Sequence, residues 1–161
     1  DLNRAWPSPP MRHETLVIGA DVRRWARRCK PALGLDFHAP GGCETTGVYA
    51  FLPKPNVFPE LCDVAGGWAE AMAQGLRPAY AAEKFGRVAE YVSRWETPSF
   101  VTFFCKAFGA PALSLETPYS MCGPTLMTRQ AYGEVGAMLA DAVVGRLAAG
   151  GGAPATPKGP A

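Results

Sequence analysis

Two histidines in 161 residues leave little material for imidazole chemistry, and several other reactive signatures are missing outright. No G-x-S-x-G elbow occurs, which excludes an α/β-hydrolase-type serine nucleophile. No G-x-x-x-x-G-K-[ST] loop is present to cradle a nucleotide phosphate. The cysteines form no C-x-x-C pair, so a structural zinc ribbon is not expected. No apolar run approaches the ~20 residues that span a bilayer. The longest clean runs, such as Leu16 to Ala20, are only core-sized. Sixteen basic against fourteen acidic residues leave a net charge of +2, too weak a surplus to argue for nucleic acid, whose phosphates reward clustered Lys and Arg. No internal repeat is evident.

What remains is a globular composition: 48% apolar, 19% charged and 11% aromatic residues, on a chain long enough to bury a core. Five cysteines, Cys29, Cys43, Cys62, Cys105 and Cys122, are odd in number and irregularly spaced. They read as free, buried thiols in a reducing compartment, which favours the cytoplasm over secretion. The sequence begins at Asp1 without an initiator Met, so the lack of a leader says nothing about compartment.

Periodicity divides the chain. Residues 1–10 read as an extended, proline-rich loop. A helix is predicted from Met11 to Cys29, with Ile18, Val22, Trp25 and Cys29 as its apolar stripe and Arg23, Arg24, Arg27 and Arg28 on its solvated side. Apolar runs at Ala32–Phe37, Gly47–Leu52 and Ala110–Leu115 suggest buried strands. A second helix is expected from Pro59 to Leu76, and the stretch Arg77 to Trp95 has no clear pattern. Thr97-Pro98 reads as an N-cap and first helical position, followed by Phe100, Val101, Phe104 and Phe108, with Gly109 as C-cap. A last helix, Met127 to Leu147, carries Tyr132, Val135, Leu139, Val143 and Leu147 on one stripe. The Gly/Ala/Pro tail that follows has no core of its own. Helices alternating with short apolar runs indicate an α/β architecture.

In such sheets, ligands sit outside the carboxyl ends of strands. Two predicted strands end in reactive residues, His38 and Glu116. His38, ahead of Ala-Pro-Gly-Gly, is either a hydrogen-bonded structural histidine or a metal ligand. Glu116 is either a capping or ion-paired residue or a functional one, since an apolar strand seldom closes on a carboxylate without reason. His13, in a helix first turn, reads as exposed or capping. Arg4 offers a planar fork suited to a carboxylate, and the adjacent Asn3 can donate from its amide. Cys29, His38 and Cys43 fall on a helix, a strand end and a loop, and no metal is expected among them.

Three segments in this order, Asp1-Leu2-Asn3-Arg4-Ala5-Trp6, Leu35-Asp36-Phe37-His38 and Leu113-Ser114-Leu115-Glu116-Thr117-Pro118-Tyr119, resemble the zinc metallocarboxypeptidases of the carboxypeptidase A-like family. The resemblance runs from residue 1 to about 148 and corresponds to the later half of a catalytic domain. It implies a three-layer α/β/α fold with a mixed central sheet, incomplete at its N-terminal side. Residues 1–149 would then be the C-terminal part of the catalytic domain and 150–161 a flexible tail. By resemblance, Asn3 and Arg4 look like the pair that binds a substrate's C-terminal carboxylate, His38 like the third zinc ligand, and Glu116 like the catalytic glutamate. Asp1 matches the acidic residue that orients a ligating histidine from behind. Tyr91 is the nearest match to the family's mobile tyrosine. One zinc ion is implied as cofactor, and a peptide or protein C-terminus as substrate, with neither nucleic acid nor membrane as partner.

The departures are as informative. The family's first two zinc ligands come from an H-x-x-E motif ahead of the D-L-N-R segment, and this chain contains no H-x-x-E. Catalytic zinc takes three protein ligands and a water, so the expectation is a portion of a longer protein, inactive alone. Val101, Cys105 and Lys106 fall where the family shapes its side-chain pocket, and an inward Lys106 would favour an acidic terminal residue, whereas a solvated Lys106 would not. Two other readings stand beside a carboxypeptidase: a non-catalytic binder of chain termini, and a metal-dependent amidase or deacylase on the same scaffold.

Overall fold

A computed structural model describes residues 2–7, 9–10, 12–91 and 96–150. Its centre is a four-stranded sheet of β1 (Gly34–His38), β2 (Val48–Phe51), β3 (Ala81–Arg87) and β4 (Ala112–Glu116), in the order β1-β4-β2-β3. β1 runs parallel to β4 and β2 parallel to β3, while β2 and β4 are antiparallel. The sheet is therefore mixed, with helices on both sides, as an α/β fold requires. All five residues of β4 are buried, which is why its sequence reads as an uninterrupted apolar run rather than an alternation. β3 lies in the stretch Arg77 to Trp95 where the sequence showed no pattern. Its exposed Glu83 and Lys84 sit on an edge strand and break the alternation.

One side of the sheet is covered by α2 (Pro59–Gly75) and α4 (Arg129–Ala148). Trp68 and Met72 of α2 pack with Val135 and Leu139 of α4 and with Leu113 and Leu115 of β4. Pro59 occupies the start of α2, where its missing N–H is harmless. Thr128 caps α4 by accepting from the Ala131 N–H at 3.1 Å. Within the predicted α4 stripe, Val135 and Leu139 are buried, whereas Tyr132 and Leu147 are exposed. The Tyr132 hydroxyl lies 2.7 Å from both the Pro118 and Tyr119 carbonyl oxygens.

A second core gathers α3 (Phe100–Phe108) with Val22 of α1 (His13–Ala26). Gly109 ends α3 in the left-handed region at φ 56°, as expected of a C-cap. The start of α3 corrects the sequence reading: Ser99, not Thr97, is the N-cap, and its hydroxyl accepts from the Thr102 N–H at 3.2 Å. The stripe of α1 is also corrected. Ile18 and Trp25 are 46% and 51% exposed and Cys29 is exposed, while Thr15 and Gly19 are buried. The packed face thus carries small residues, with the Phe103 ring in ordinary van der Waals reach of position 19, and the large apolar side chains flank it. The Thr15 hydroxyl is satisfied by the Arg12 carbonyl at 3.0 Å.

The five cysteines are free, but only Cys62, Cys105 and Cys122 are buried, while Cys29 and Cys43 are exposed. Burial pushes the Cys105 thiol up to about 11. Among the described residues, no helix is long and apolar enough to cross a membrane.

Candidate functional site

The site grows from strand geometry. Alternate residues of a strand share a face, and registered residues of parallel neighbours lie beside each other. Asp36 pairs with Ser114 and His38 with Glu116, so these four side chains form two adjacent rows on one face of the sheet, at the carboxyl ends of β1 and β4. The Thr117 N–H donates to the His38 carbonyl at 3.0 Å, holding the two strand ends together just past the second row.

Glu116 is 5% exposed, and its Oε2 is buried without a hydrogen-bond partner among the described residues. Burial pushes its carboxyl above the usual range, and Asp36 adds to that push. His38 and Arg4 oppose it by favouring the charged form. Tyr49, registered with Glu116 from β2, has its phenol pushed up to about 12, chiefly by burial and then by Glu116. The Arg87 guanidinium lies over the Tyr49 ring, 3.7 Å from its centroid.

A short helical turn, Leu2–Arg4, brings the N-terminal segment to this face. Asn3 is 6% exposed. Its Nδ2 donates to Ser114 Oγ at 3.3 Å, and its Oδ1 accepts from the Phe100 N–H at 3.0 Å. Arg4 is partly buried, and its Nε has no hydrogen-bond partner among the described residues. A cavity of about 290 Å³ opens here, lined by Asn3, Arg4, Tyr91, Ser114 and Glu116 on its polar side and by Phe51, Leu52, Val57 and Val101 on its apolar side. An apolar hollow with a few convergent polar groups is the usual form of a small-molecule or chain-end site.

The structure thus gathers Asn3, Arg4, Tyr91 and Glu116 around one cavity, while His38 stands one strand over, half-buried beside Glu116 and outside the lining. Tyr91 is exposed and edge-on to Phe51, at 6.3 Å between ring centroids. Asp1 lies outside the described residues. Val101 lines the cavity, but Cys105 does not, and Lys106 is exposed and borders a different hollow beside Trp6 and Phe103. The solvated reading of Lys106 is the one the structure supports.

Ser114 and Lys54 are among the polar cavity residues to which the sequence reading gave no role. Ser114 had a signal, since it precedes Glu116 by two and therefore shares its face. Lys54, in the loop after β2, had none.

Chemically, the site offers a guanidinium N–H without a hydrogen-bond partner among the described residues and a buried carboxyl within one hollow. Its fit to zinc is incomplete: His38 is the one imidazole here, and no group of three His, Cys, Asp or Glu that could hold a metal occurs among the described residues. Catalytic zinc takes three protein ligands, so the described residues do not by themselves make the site.

No family model matches this chain, and no curated protein matches it either. Solved structures do. A metallo-carboxypeptidase from Burkholderia cenocepacia superposes with a TM-score of 0.63 at 18% sequence identity, over 92% of this chain and 39% of that one. A chain assigned as a carboxypeptidase from Burkholderia mallei ATCC 23344 gives a TM-score of 0.60 at 15% identity, over 92% of this chain and 38% of that one. The likeness is one of fold: this chain has a metallocarboxypeptidase-like α/β fold and spans about two-fifths of the length of those structures.

Proposed function

We propose that this chain is the later part of a metallocarboxypeptidase-like catalytic domain whose complete form hydrolyses a C-terminal peptide bond. One observation carries the reading: Arg4 Nε and Glu116 Oε2, both buried and both unpartnered among the described residues, belong to side chains that line the same cavity. A buried polar atom left unsatisfied is costly and calls for an explanation. A peptide terminus supplies one, since its carboxylate would satisfy the guanidinium.

In this reading Arg4 receives the terminal carboxylate, and Asn3 helps to frame it. Glu116 takes a proton from the water attacking the scissile carbonyl and delivers it to the departing amine. Its raised pKa suits that task, because a general base works best when its pKa lies near the operating pH. Tyr91 stands at the exposed rim as a group to close over the substrate. Zinc, when bound, would supply Lewis-acid activation, with His38 as one of its ligands and the others contributed by preceding chain. By itself the 161-residue chain is then inactive.

The test is to express the coding region with its upstream sequence and assay release of the last residue from peptides with free and amidated C-termini. Release from free termini alone supports the proposal. Equal cleavage of both would favour an amidase or deacylase on this scaffold. Binding of peptide termini without turnover by a zinc-loaded protein would make the chain part of a binder instead.

A further inference from the structure

We infer that Ser114 and Asp36 are positioning residues that fix the amide of Asn3 in one orientation and so shape the carboxylate-receiving pair, an assignment that rests on the role proposed above for Asn3 and Arg4. The single proton of the Ser114 hydroxyl sets the direction of every bond in the line. Ser114 Oγ donates to Asp36 Oδ2 at 2.8 Å. A hydroxyl carries a single proton, so once it is given to Asp36 the same oxygen can only accept. The atom it accepts from is Asn3 Nδ2, at 3.3 Å.

That choice turns the other end of the amide outward. Asn3 Oδ1 must then face the Phe100 N–H, and it accepts from it at 3.0 Å. A backbone N–H can only donate, so the far end demands the same amide orientation as the near end. The relay Phe100–Asn3–Ser114–Asp36 is thus consistent from both directions. It ties the first residue of α3, the turn Leu2–Arg4, β4 and β1 into one line of hydrogen bonds.

The consequence concerns Arg4. It follows Asn3 directly in the turn Leu2–Arg4, so the anchoring of Asn3 on β4 sets where that guanidinium enters the cavity. Reversal of the Asn3 amide would oppose Oδ1 to the Ser114 oxygen and Nδ2 to the Phe100 N–H, two repulsive contacts in a buried place. Asp36 excludes that state from behind Ser114, without itself lining the cavity.

Two measurements test this. In the 161-residue chain, solvent exchange of the Asn3 side-chain N–H protons is followed by NMR. Wild type and Asp36→Asn, which keeps an acceptor oxygen for Ser114, should show slow exchange. Ser114→Ala and Asp36→Ala should each accelerate it by about tenfold or more. In the complete domain, Ser114→Ala and Asp36→Ala should each raise KM for peptides with a free C-terminus by about tenfold with kcat changed less than about twofold, and Asp36→Asn should keep KM near the wild-type value. A purely structural role would lower stability without that split. Unchanged Asn3 exchange in both Ser114→Ala and Asp36→Ala overturns the inference, as does an unchanged KM in an active domain. A wild-type domain that cleaves no C-terminal bond would instead remove the proposed function, and the exchange measurement would still decide the relay.

Discussion

His38 and Glu116 are registered partners at the carboxyl ends of two parallel strands, with an imidazole set beside a carboxyl whose buried Oε2 has no hydrogen-bond partner among the described residues. Neighbouring strands in a sheet stand about 4.8 Å apart, so the pair is close by construction and requires no loop to assemble it. Burial raises the carboxyl's pKa while the imidazole draws it back down. Opposed influences of this kind occur at functional carboxylates and in structural ion-pair networks alike.

Glu116→Gln keeps the shape of the side chain and removes its ability to carry a proton. In the complete domain it should lower kcat by about 10²- to 10⁴-fold, with zinc content unchanged by elemental analysis. Turnover that survives at more than about a tenth of the wild-type rate would assign the base to another residue.

Arg4→Ala should act on recognition. The guanidinium would form a charge-assisted bond with the terminal carboxylate, so its loss should raise KM for free-terminus peptides by about ten- to a hundredfold. Amidated peptides, which lack that charge, should be affected far less. Equal losses in both series would separate Arg4 from carboxylate recognition.

The residues that end strands were legible in the sequence because chemistry at the close of an apolar run is conspicuous. His38 and Glu116 were both readable in that way, and so was the alternation of helices and strands. Less visible was anything set by close packing. The buried face of α1 consists of Thr15 and Gly19 rather than Ile18 and Trp25, small residues that no hydrophobic count rewards. The true cap of α3 was hidden by competition, since Thr97 and Ser99 carry the same capping chemistry two residues apart and Ser99 holds the position. The burial of Asn3 was not foreseen either, because its partners Ser114 and Phe100 are about a hundred residues away in sequence.

Metal binding by the isolated 161-residue chain should be weak. His38 supplies one ligand, and no group of three candidate ligands occurs among the described residues. Titration calorimetry with zinc at neutral pH should therefore show no tight stoichiometric site. A one-to-one complex of nanomolar order would contradict the ligand arrangement proposed here, because affinity of that kind needs convergent ligands.

Gly34 marks where α3 rests on β1. A Cβ at this position would lie 2.8 Å from two carbons of the Phe104 ring. Phe104 is buried and cannot retreat without displacing α3. Gly34→Ala should therefore destabilise the chain by about 1–3 kcal/mol, read as a lower urea midpoint at constant m-value. Gly41→Ala, where a Cβ meets nothing within 4 Å, should leave the midpoint nearly unchanged and serves as the control.

Glu134 gives the chain a pH dependence remote from the cavity. Its carboxylate accepts from Gln130 Nε2 at 3.0 Å, from the Tyr80 hydroxyl at 3.0 Å and from Arg77 at 2.6 Å. The hydrogen bonds from Gln130 and Tyr80, with Arg77 contributing further, hold its pKa below the usual 4.5. A carboxyl whose pKa is lower folded than unfolded binds fewer protons in the native state, so its contribution is complete above 4.5 and is lost as pH falls through the lowered native value. Glu134→Gln should therefore melt at a lower temperature than wild type near neutral pH, and the two curves should converge on acidification below 4.5. A constant offset across that range would show that Glu134 acts through packing and hydrogen-bond geometry rather than through its charge.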